Sequence, residues 1–251
     1  MPRATSFASK SYRDTGVVLR TYPLGEADRI VVLLTRDHGQ VRAVAKGIRR
    51  TTSRFGSRLE PFNVSDLQLV HGRNLDIVSQ AVGRKGWASP IAADYAKFTA
   101  AAAIVEAAEN ITENDDDESG QHYLLVVGAL SALARGLHDP AAILDSYLMR
   151  AVSVAGWAPS FTDCARCGEP GPHRAFSAEL GGVVCANCRP PGALAPDAAT
   201  LEYLEALVTG RWEHVDQAPP RVARAAAGLV SSYVQFHLEK TVRALALVER
   251  N

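Results

Sequence analysis

The residues most able to do chemistry are four cysteines, and the chain has no others. They fall as Cys164-x2-Cys167 and Cys185-x2-Cys188, with seventeen residues between the pairs. A two-residue gap lets two thiolates from one tight knuckle reach a single ion, and two knuckles complete a tetrahedron. Gly168 follows the first pair and Gly181-Gly182 precedes the second, where the backbone must turn. The pattern therefore predicts one zinc ion. Two disulfides are the alternative, disfavoured where a cytosol keeps thiols reduced. Four thiolates leave no open position for water, so the ion would be structural. His173 lies in the same segment and reads as a surface loop residue.

The second signal is basic. Lys46–Arg58 (KGIRRTTSRFGSR) carries Lys46, Arg49, Arg50, Arg54 and Arg58 and no acid. Thr51, Thr52, Ser53 and Ser57 add hydroxyl donors, and Phe55 offers an aromatic face on which a base could stack. Arg42 precedes the run, and Arg73, Arg84 and Lys85 follow at strand ends. Cations neutralise phosphates, hydroxyls hydrogen-bond them, and aromatic rings stack on bases. A charge run is more often only a solvated surface. A stretch this long without an acid favours nucleic-acid contact.

The charge distribution supports that reading. The chain of 251 residues is neutral overall, with 27 Lys and Arg against 27 Asp and Glu. Residues 1–86 nevertheless carry a net +8, residues 87–163 a net −8, and the remainder zero. An asymmetry of this kind points the basic part at an anionic partner. The acidic run Asp115-Asp116-Asp117-Glu118 lacks calcium-loop spacing and reads as a solvated linker. Apolar residues make up 47 % of the chain, enough for a real core. There is no apolar run of membrane-spanning length, and the polar lead-in Met1–Lys10 has no signal-peptide centre. A cytoplasmic protein is expected. Walker, Rossmann, nucleophile-elbow and H-E-x-x-H patterns are absent, so no enzyme is expected. The histidines are scattered singly.

These residues need elements to hold them. Gly16–Tyr22, Arg29–Thr35, Val41–Lys46, Val64–Val70 and Leu75–Val82 read as strands, with turns at Asp37-His38-Gly39 and His71-Gly72-Arg73-Asn74. In Val41–Lys46, Val41, Ala43 and Ala45 share one face, opposite Arg42, Val44 and Lys46. Five short strands predict a small closed barrel, which removes exposed edges. An OB-fold suits them best, with an SH3-like barrel as the rival. Helices follow. Ser89-Pro90 is expected to cap a helix with Ile91, Tyr95, Phe98, Ala102 and Val105 on its buried stripe. Leu124, Val127, Leu130 and Leu133 mark a second. Asp139-Pro140 starts a third that ends at Gly156, and Asp197 caps a fourth. Pro219-Pro220 opens a last one carrying Leu229, Tyr233, Phe236, Leu245 and Leu247. The expected architecture is α+β and multidomain. It comprises an N-terminal five-stranded OB-fold barrel (1–84), a helical bundle (85–160 and 193–251), and a four-cysteine zinc knuckle (161–192) inserted in the bundle.

This order of parts matches a known family. YRDTGVVLRTYPLGEADRIVVLLTRDHGQVRAVAKGIRR (Tyr12–Arg50), SRFGSRLEPF (Ser53–Phe62) and GWAPSFTDCARCG (Gly156–Gly168) closely resemble the bacterial recombination mediator family RecO. GEADRIV and KGIRR are the specific motifs. The resemblance runs from about Tyr12 onward; the polar extension before it and the acidic stretch 113–118 depart from the family. It implies a protein that binds single- and double-stranded DNA and anneals complementary strands. It implies contact with the tail of single-strand-binding protein, docked on the helical domain, and with RecR, and hence an indirect role in loading RecA. It also implies DNA contact at Arg42, Lys46, Arg49, Arg50, Arg54, Arg58 and Arg73. A zinc-ribbon module acting on RNA or in transcription is the main alternative, and an unrecognised enzyme the lesser one.

Overall fold

The computed structural model describes residues 11–113, 119–238 and 240–249. The polar lead-in (1–10) and the acidic run (115–118) lie outside them. Two compact units divide the chain: Met1–Ser89 with Thr112–Val127, and Pro90–Ile111 with Gly128–Asn251.

The first unit is built on five strands: β1 (Ser11–Leu24), β2 (Asp28–Thr35), β3 (Gln40–Ala45), β4 (Val64–Val70) and β5 (Asp76–Lys85). They close in the order β1-β2-β3-β5-β4. β1 is long enough to pair with both β2 and β4, and it bends at a bulge between Val18 and Arg20. Closure comes from a short parallel pairing of β3 with β5, Ala43 opposite Asp76 and Val44 opposite Ile77. This is the OB-fold arrangement, so the SH3-like alternative falls. Alternation places Val18, Val31, Leu33, Ala43, Ala45, Leu67, Leu69 and Val78 inside. The β4–β5 turn admits only glycine at position 72, where a Cβ would lie 1.9 Å from the Leu75 carbonyl oxygen.

The helices are α1 (Ala88–Ala92), α2 (Tyr95–Ile111), α3 (Ser119–Arg135), α4 (Pro140–Val154), α5 (Ala198–Thr209), α6 (Trp212–Asp216) and α7 (Pro220–Leu238). In the second unit α4 packs against α2, α5 and α7. Its start is as expected: Asp139 accepts from the N–H groups of Ala141 and Ala142, both 3.0 Å away. Its end is a Schellman motif, with Gly156 N–H bonding the Ser153 carbonyl (3.2 Å) and Trp157 N–H the Val152 carbonyl (2.9 Å).

Three expectations fail in whole or in part. Ser89 is not a cap; it sits inside the short α1, and the long helix restarts at Asp94, whose carboxylate accepts from Lys97 N–H (3.1 Å). The stripes expected for the first two helices hold only in part: Ile91, Val105, Leu130 and Leu133 are buried as expected. Tyr95, Phe98 and Leu124 are exposed, while α2 buries Thr99, Ala100, Ala101, Ala103, Ile104, Ala107 and Ala108. Small residues let the α2 backbone approach α4, so alanine forms the contact face. The last helix stops at Leu238; Leu245 and Leu247 lie in a separate 3-10 turn, Arg243–Leu247, anchored by Ala244 N–H on Glu106 Oε2 (2.8 Å).

Candidate metal centre and nucleic-acid interface

The cysteine segment carries two strands that the sequence did not announce, β6 (Ala175–Ser177) and β7 (Gly182–Val184), paired antiparallel. Leu194 adds a bridge to Phe176 on one side, and Ser160 one to Gly182 on the other. Ser160 N–H bonds the Gly181 carbonyl and Val183 N–H bonds the Ser160 carbonyl, each at 2.9 Å. A Cβ at position 182 would sit 2.2 Å from Ser160 O. Gly182 is therefore needed for close approach, beyond the turning role its sequence suggests.

This small frame positions both knuckles. Cys164 N–H bonds Glu169 O (2.9 Å) and Gly168 N–H bonds Cys164 O (2.8 Å); Cys188 N–H bonds Cys185 O (3.2 Å). The four Sγ atoms all lie within 4.8 Å of one another, Cys167 and Cys185 at 3.9 Å. None forms a disulfide. A tetrahedral zinc–thiolate shell with bonds of about 2.3 Å separates its sulfurs by about 3.8 Å, so the donors fit such an ion. The backbone N–H groups of Cys185, Cys167 and Arg166 point at the Cys164 sulfur, an arrangement that favours a thiolate there. Cys164 and Cys185 are buried and Cys167 is exposed. His173 stands apart, its Nε2 2.8 Å from the Glu169 carbonyl. The apolar cluster around the sulfurs is small, Ala175 and Val184 with the two buried cysteines, flanked by Leu180 and Ala193; Phe176 and Val183 are buried too, the Phe176 ring 6.0 Å from that of Tyr233.

On the barrel, Arg42, Lys46, Arg49, Arg50, Arg54, Arg58 and Arg73 are all exposed. Among the described residues none of the seven makes an ion pair, whereas Arg29 pairs with Glu60 and Arg84 with Asp66, each at 3.3 Å. The backbone beneath the five cations of the β3–β4 connection is fixed. Gly47 N–H bonds Asp28 Oδ1 (2.7 Å), and Arg49 N–H bonds the Ala27 carbonyl (3.0 Å). Phe55 and Leu59 are buried in the barrel core, and a 3-10 turn spans Gly56–Leu59. Phe55 therefore cannot stack a base. Its ring instead carries the Arg54 guanidinium 5.1 Å from its centroid. The signal for its true role was present: Ile48, Phe55 and Leu59 are the large apolar residues of the polar stretch 46–60. The Arg58 guanidinium folds back on the carbonyls of Arg54 (2.7 Å) and Phe55 (3.4 Å).

The seven cations do not form one cluster. Arg73 lies in the β4–β5 turn, and Arg42 adjoins Ala43, which pairs with Asp76 at the start of β5. Arg58 lies against Gly83, where an added Cβ would stand 3.6 Å from its Cγ. Seven residue steps along β5 separate these stations, about 23 Å of strand. A contact using both must follow the barrel wall, as an extended nucleic-acid backbone can. In the second unit, no helix of the described residues is long and apolar enough to cross a membrane, and the same holds for the first.

Comparison with known proteins identifies the family. The family model described as "Recombination protein O N terminal" matches residues 9–86, and "Recombination protein O C terminal" matches residues 92–246. A protein of Streptomyces coelicolor named "DNA repair protein RecO" is 50 % identical over 245 residues, covering 95 % of this chain and 99 % of the relative. Proteins of the same name from Streptomyces avermitilis and Cutibacterium acnes are each 49 % identical, covering 95 % and 96 % of this chain and 99 % of the relative. Two successive domain matches and near-complete coverage lead to one conclusion: the chain belongs to the RecO family of DNA repair proteins.

Proposed function

We propose that this protein is a recombination mediator and not an enzyme. It binds single- and double-stranded DNA through the barrel of residues 1–84 and anneals complementary strands coated with single-strand-binding protein. With RecR it helps RecA onto that DNA, and it works in the cytoplasm at the nucleoid. The helical parts, 85–160 and 193–251, receive the tail of single-strand-binding protein. The insertion 161–192 binds one Zn2+ through Cys164, Cys167, Cys185 and Cys188, and the ion acts as a cross-link with no part in the chemistry.

The observation that carries this reading is the set of seven exposed cations on the barrel, with no acid paired to them among the described residues. Two single strands repel each other through their phosphates. Cations held on a fixed backbone screen that charge without reading sequence and leave base edges free to pair. Arg49, Arg50 and Arg54 are exposed and rooted on a backbone that Ile48 and Phe55 bury in the core.

The test is annealing of two complementary labelled oligonucleotides precoated with single-strand-binding protein. Acceleration by this protein, lost when Arg49, Arg50 and Arg54 are replaced together with Ala, is the expected result. The same variant should weaken all DNA sequences alike and flatten the salt slope by about 2–3 units. Binding and slope unchanged in the variant would remove these residues from the DNA site. Binding without annealing would leave a zinc-stapled nucleic-acid binder.

A further inference from the structure

At one end of the barrel the start of β1, the β2–β3 turn and the β4–β5 turn converge. Tyr12 meets two histidines there. The His71 ring stacks on it with centroids 4.5 Å apart and planes at 23°, and the His38 ring is also 4.5 Å away, tilted by 44°. Residues that look isolated along the chain are assembled by the pairing of β1 with β2 and β4.

Carboxylates hold all three rings from beneath. Tyr12 OH donates to Asp76 Oδ2 (2.6 Å), and His71 Nδ1 lies 3.5 Å from the same oxygen. Asp76 also accepts from Gly72 N–H (3.1 Å), which fixes the turn that carries His71. His38 Nδ1 lies 2.6 Å from Asp14 Oδ2, and Asp14 accepts further from the N–H groups of Thr15 (2.7 Å) and Asp37 (3.2 Å). Burial and the Asp76 hydrogen bond push the Tyr12 hydroxyl well above its ordinary pKa, so it stays a neutral donor. Exposure is divided accordingly. The Asp14 side chain is 0 % exposed and that of Asp76 17 %, against 44 % for His38 and 61 % for His71. The acids face inward and the imidazoles outward. Arg13 follows Tyr12 on β1, Arg36 and Asp37 precede His38 in the β2–β3 turn, and Arg73 lies two residues after His71; all four are exposed.

Preordered rings with an open outer face, beside cations, suit one kind of ligand. Unpaired bases stack on such faces while their phosphates meet the cations. A duplex keeps its base faces covered, so it gains nothing from them. We propose that the His71–Tyr12–His38 stack is a base-stacking platform for single-stranded DNA, with His71 offering the receiving face. It rests on the DNA-binding reading above and adds to it a reason for single-strand preference.

The test measures binding of the full-length protein to an oligothymidylate and to a blunt duplex of equal length, at one salt concentration. His71→Ala should lower single-strand affinity about five- to tenfold and leave duplex affinity unchanged. A 2-aminopurine within the single strand should lose its fluorescence change on binding. His71→Phe keeps a ring but not the Asp76 contact, so it should restore both signals; it also controls for damage to the turn. Unchanged single-strand affinity in His71→Ala, equal losses on both DNA forms, or no rescue by Phe would each overturn the platform. The Arg49/Arg50/Arg54 variant is measured alongside. If it retains full affinity and slope, the phosphate contacts fail, while the single-strand to duplex ratio of His71→Ala still decides the stack.

Discussion

The β3–β4 connection of the barrel and the cysteine segment of the helical unit face the same difficulty. Each is a long irregular stretch that must hold a fixed shape, and they solve it by different means. The connection, residues 46–63, drops Ile48, Phe55 and Leu59 into a core that the strands have already built. The cysteine segment, residues 160–194, buries Phe176, Val183 and Val184 on two strands of three residues each, but packs only Ala175, Val184, Leu180 and Ala193 around its sulfurs. It gathers four sulfurs instead. The difference lies at the knuckles: large side chains anchor the connection along its length, whereas Phe176 and Val183 anchor only the strands of the cysteine segment, and its knuckles, which bury only Cys164 and Cys185, are left to a cross-link. It also explains where charge can go. Apolar anchors leave the outer surface of the connection free, and that surface carries five cations.

The sharpest way to break the comparison is to remove the metal ligands. Cys185→Ser, or chelation of the wild-type protein, should release bound metal and abolish amide protection across 160–194, with barrel amides still protected. This is the largest effect expected, because metal binding and folding are coupled in such modules at about 10 kcal/mol or more. Elemental analysis with exchange mass spectrometry reads both halves. A chain that holds no metal and keeps full protection in that segment would end the cross-link account. Phe55→Ala is the matching lesion in the barrel. It should destabilise the barrel by about 3–5 kcal/mol and free the connection, with metal content unchanged. A loss below about 1 kcal/mol would mean that the connection is held by its hydrogen bonds and not by its anchors. Gly182→Ala probes the frame rather than the ligands. With Cβ forced to 2.2 Å from Ser160 O, a cost of about 2 kcal/mol is expected, metal still bound.

Much of this was legible in the residues, and what was not has physical reasons. The barrel strands and both knuckles carry period-two alternation and fixed ligand spacing, which are local signals. The helical stripes hold at Ile91, Val105, Leu130 and Leu133 but misled elsewhere, because Tyr95, Phe98 and Leu124 are large and apolar yet exposed, while the contact face of α2 is mostly alanine. A pattern that weights residue size misses the small-residue part of such a face. Phe55 misled for the converse reason: its neighbours are polar, and only the closed barrel beneath supplies a core for it. β6 and β7 are three residues each, too short for periodicity to show. The Tyr12, His38 and His71 stack has no linear signal, since it depends on two turns meeting over β1.

The smallest effect expected lies where the cysteine segment hands over to helix. Asp197 caps α5, accepting from Thr200 N–H at 2.8 Å and bonding the Thr200 hydroxyl. Those bonds, the hydroxyl's first, hold its carboxyl below the ordinary value of 3.8. A carboxyl depressed in the folded state stabilises above its unfolded pKa, and that stabilisation disappears as pH falls through the folded value. Asp197→Ala should therefore lower the melting temperature slightly at neutral pH, and the gap from wild type should close below about pH 3.8. Asp197→Asn, which caps without titrating, should fall between the two at neutral pH and keep its advantage over Ala in acid. Metal content should be the same in all three, because the cap belongs to the helix and not to the knuckle. A gap that persists unchanged into acid would mean that the cap acts without its charge. Metal loss in Asp197→Ala would mean that the helix start and the cysteine cluster order each other, and the contrast between apolar anchoring and cross-linking would then extend into the bundle.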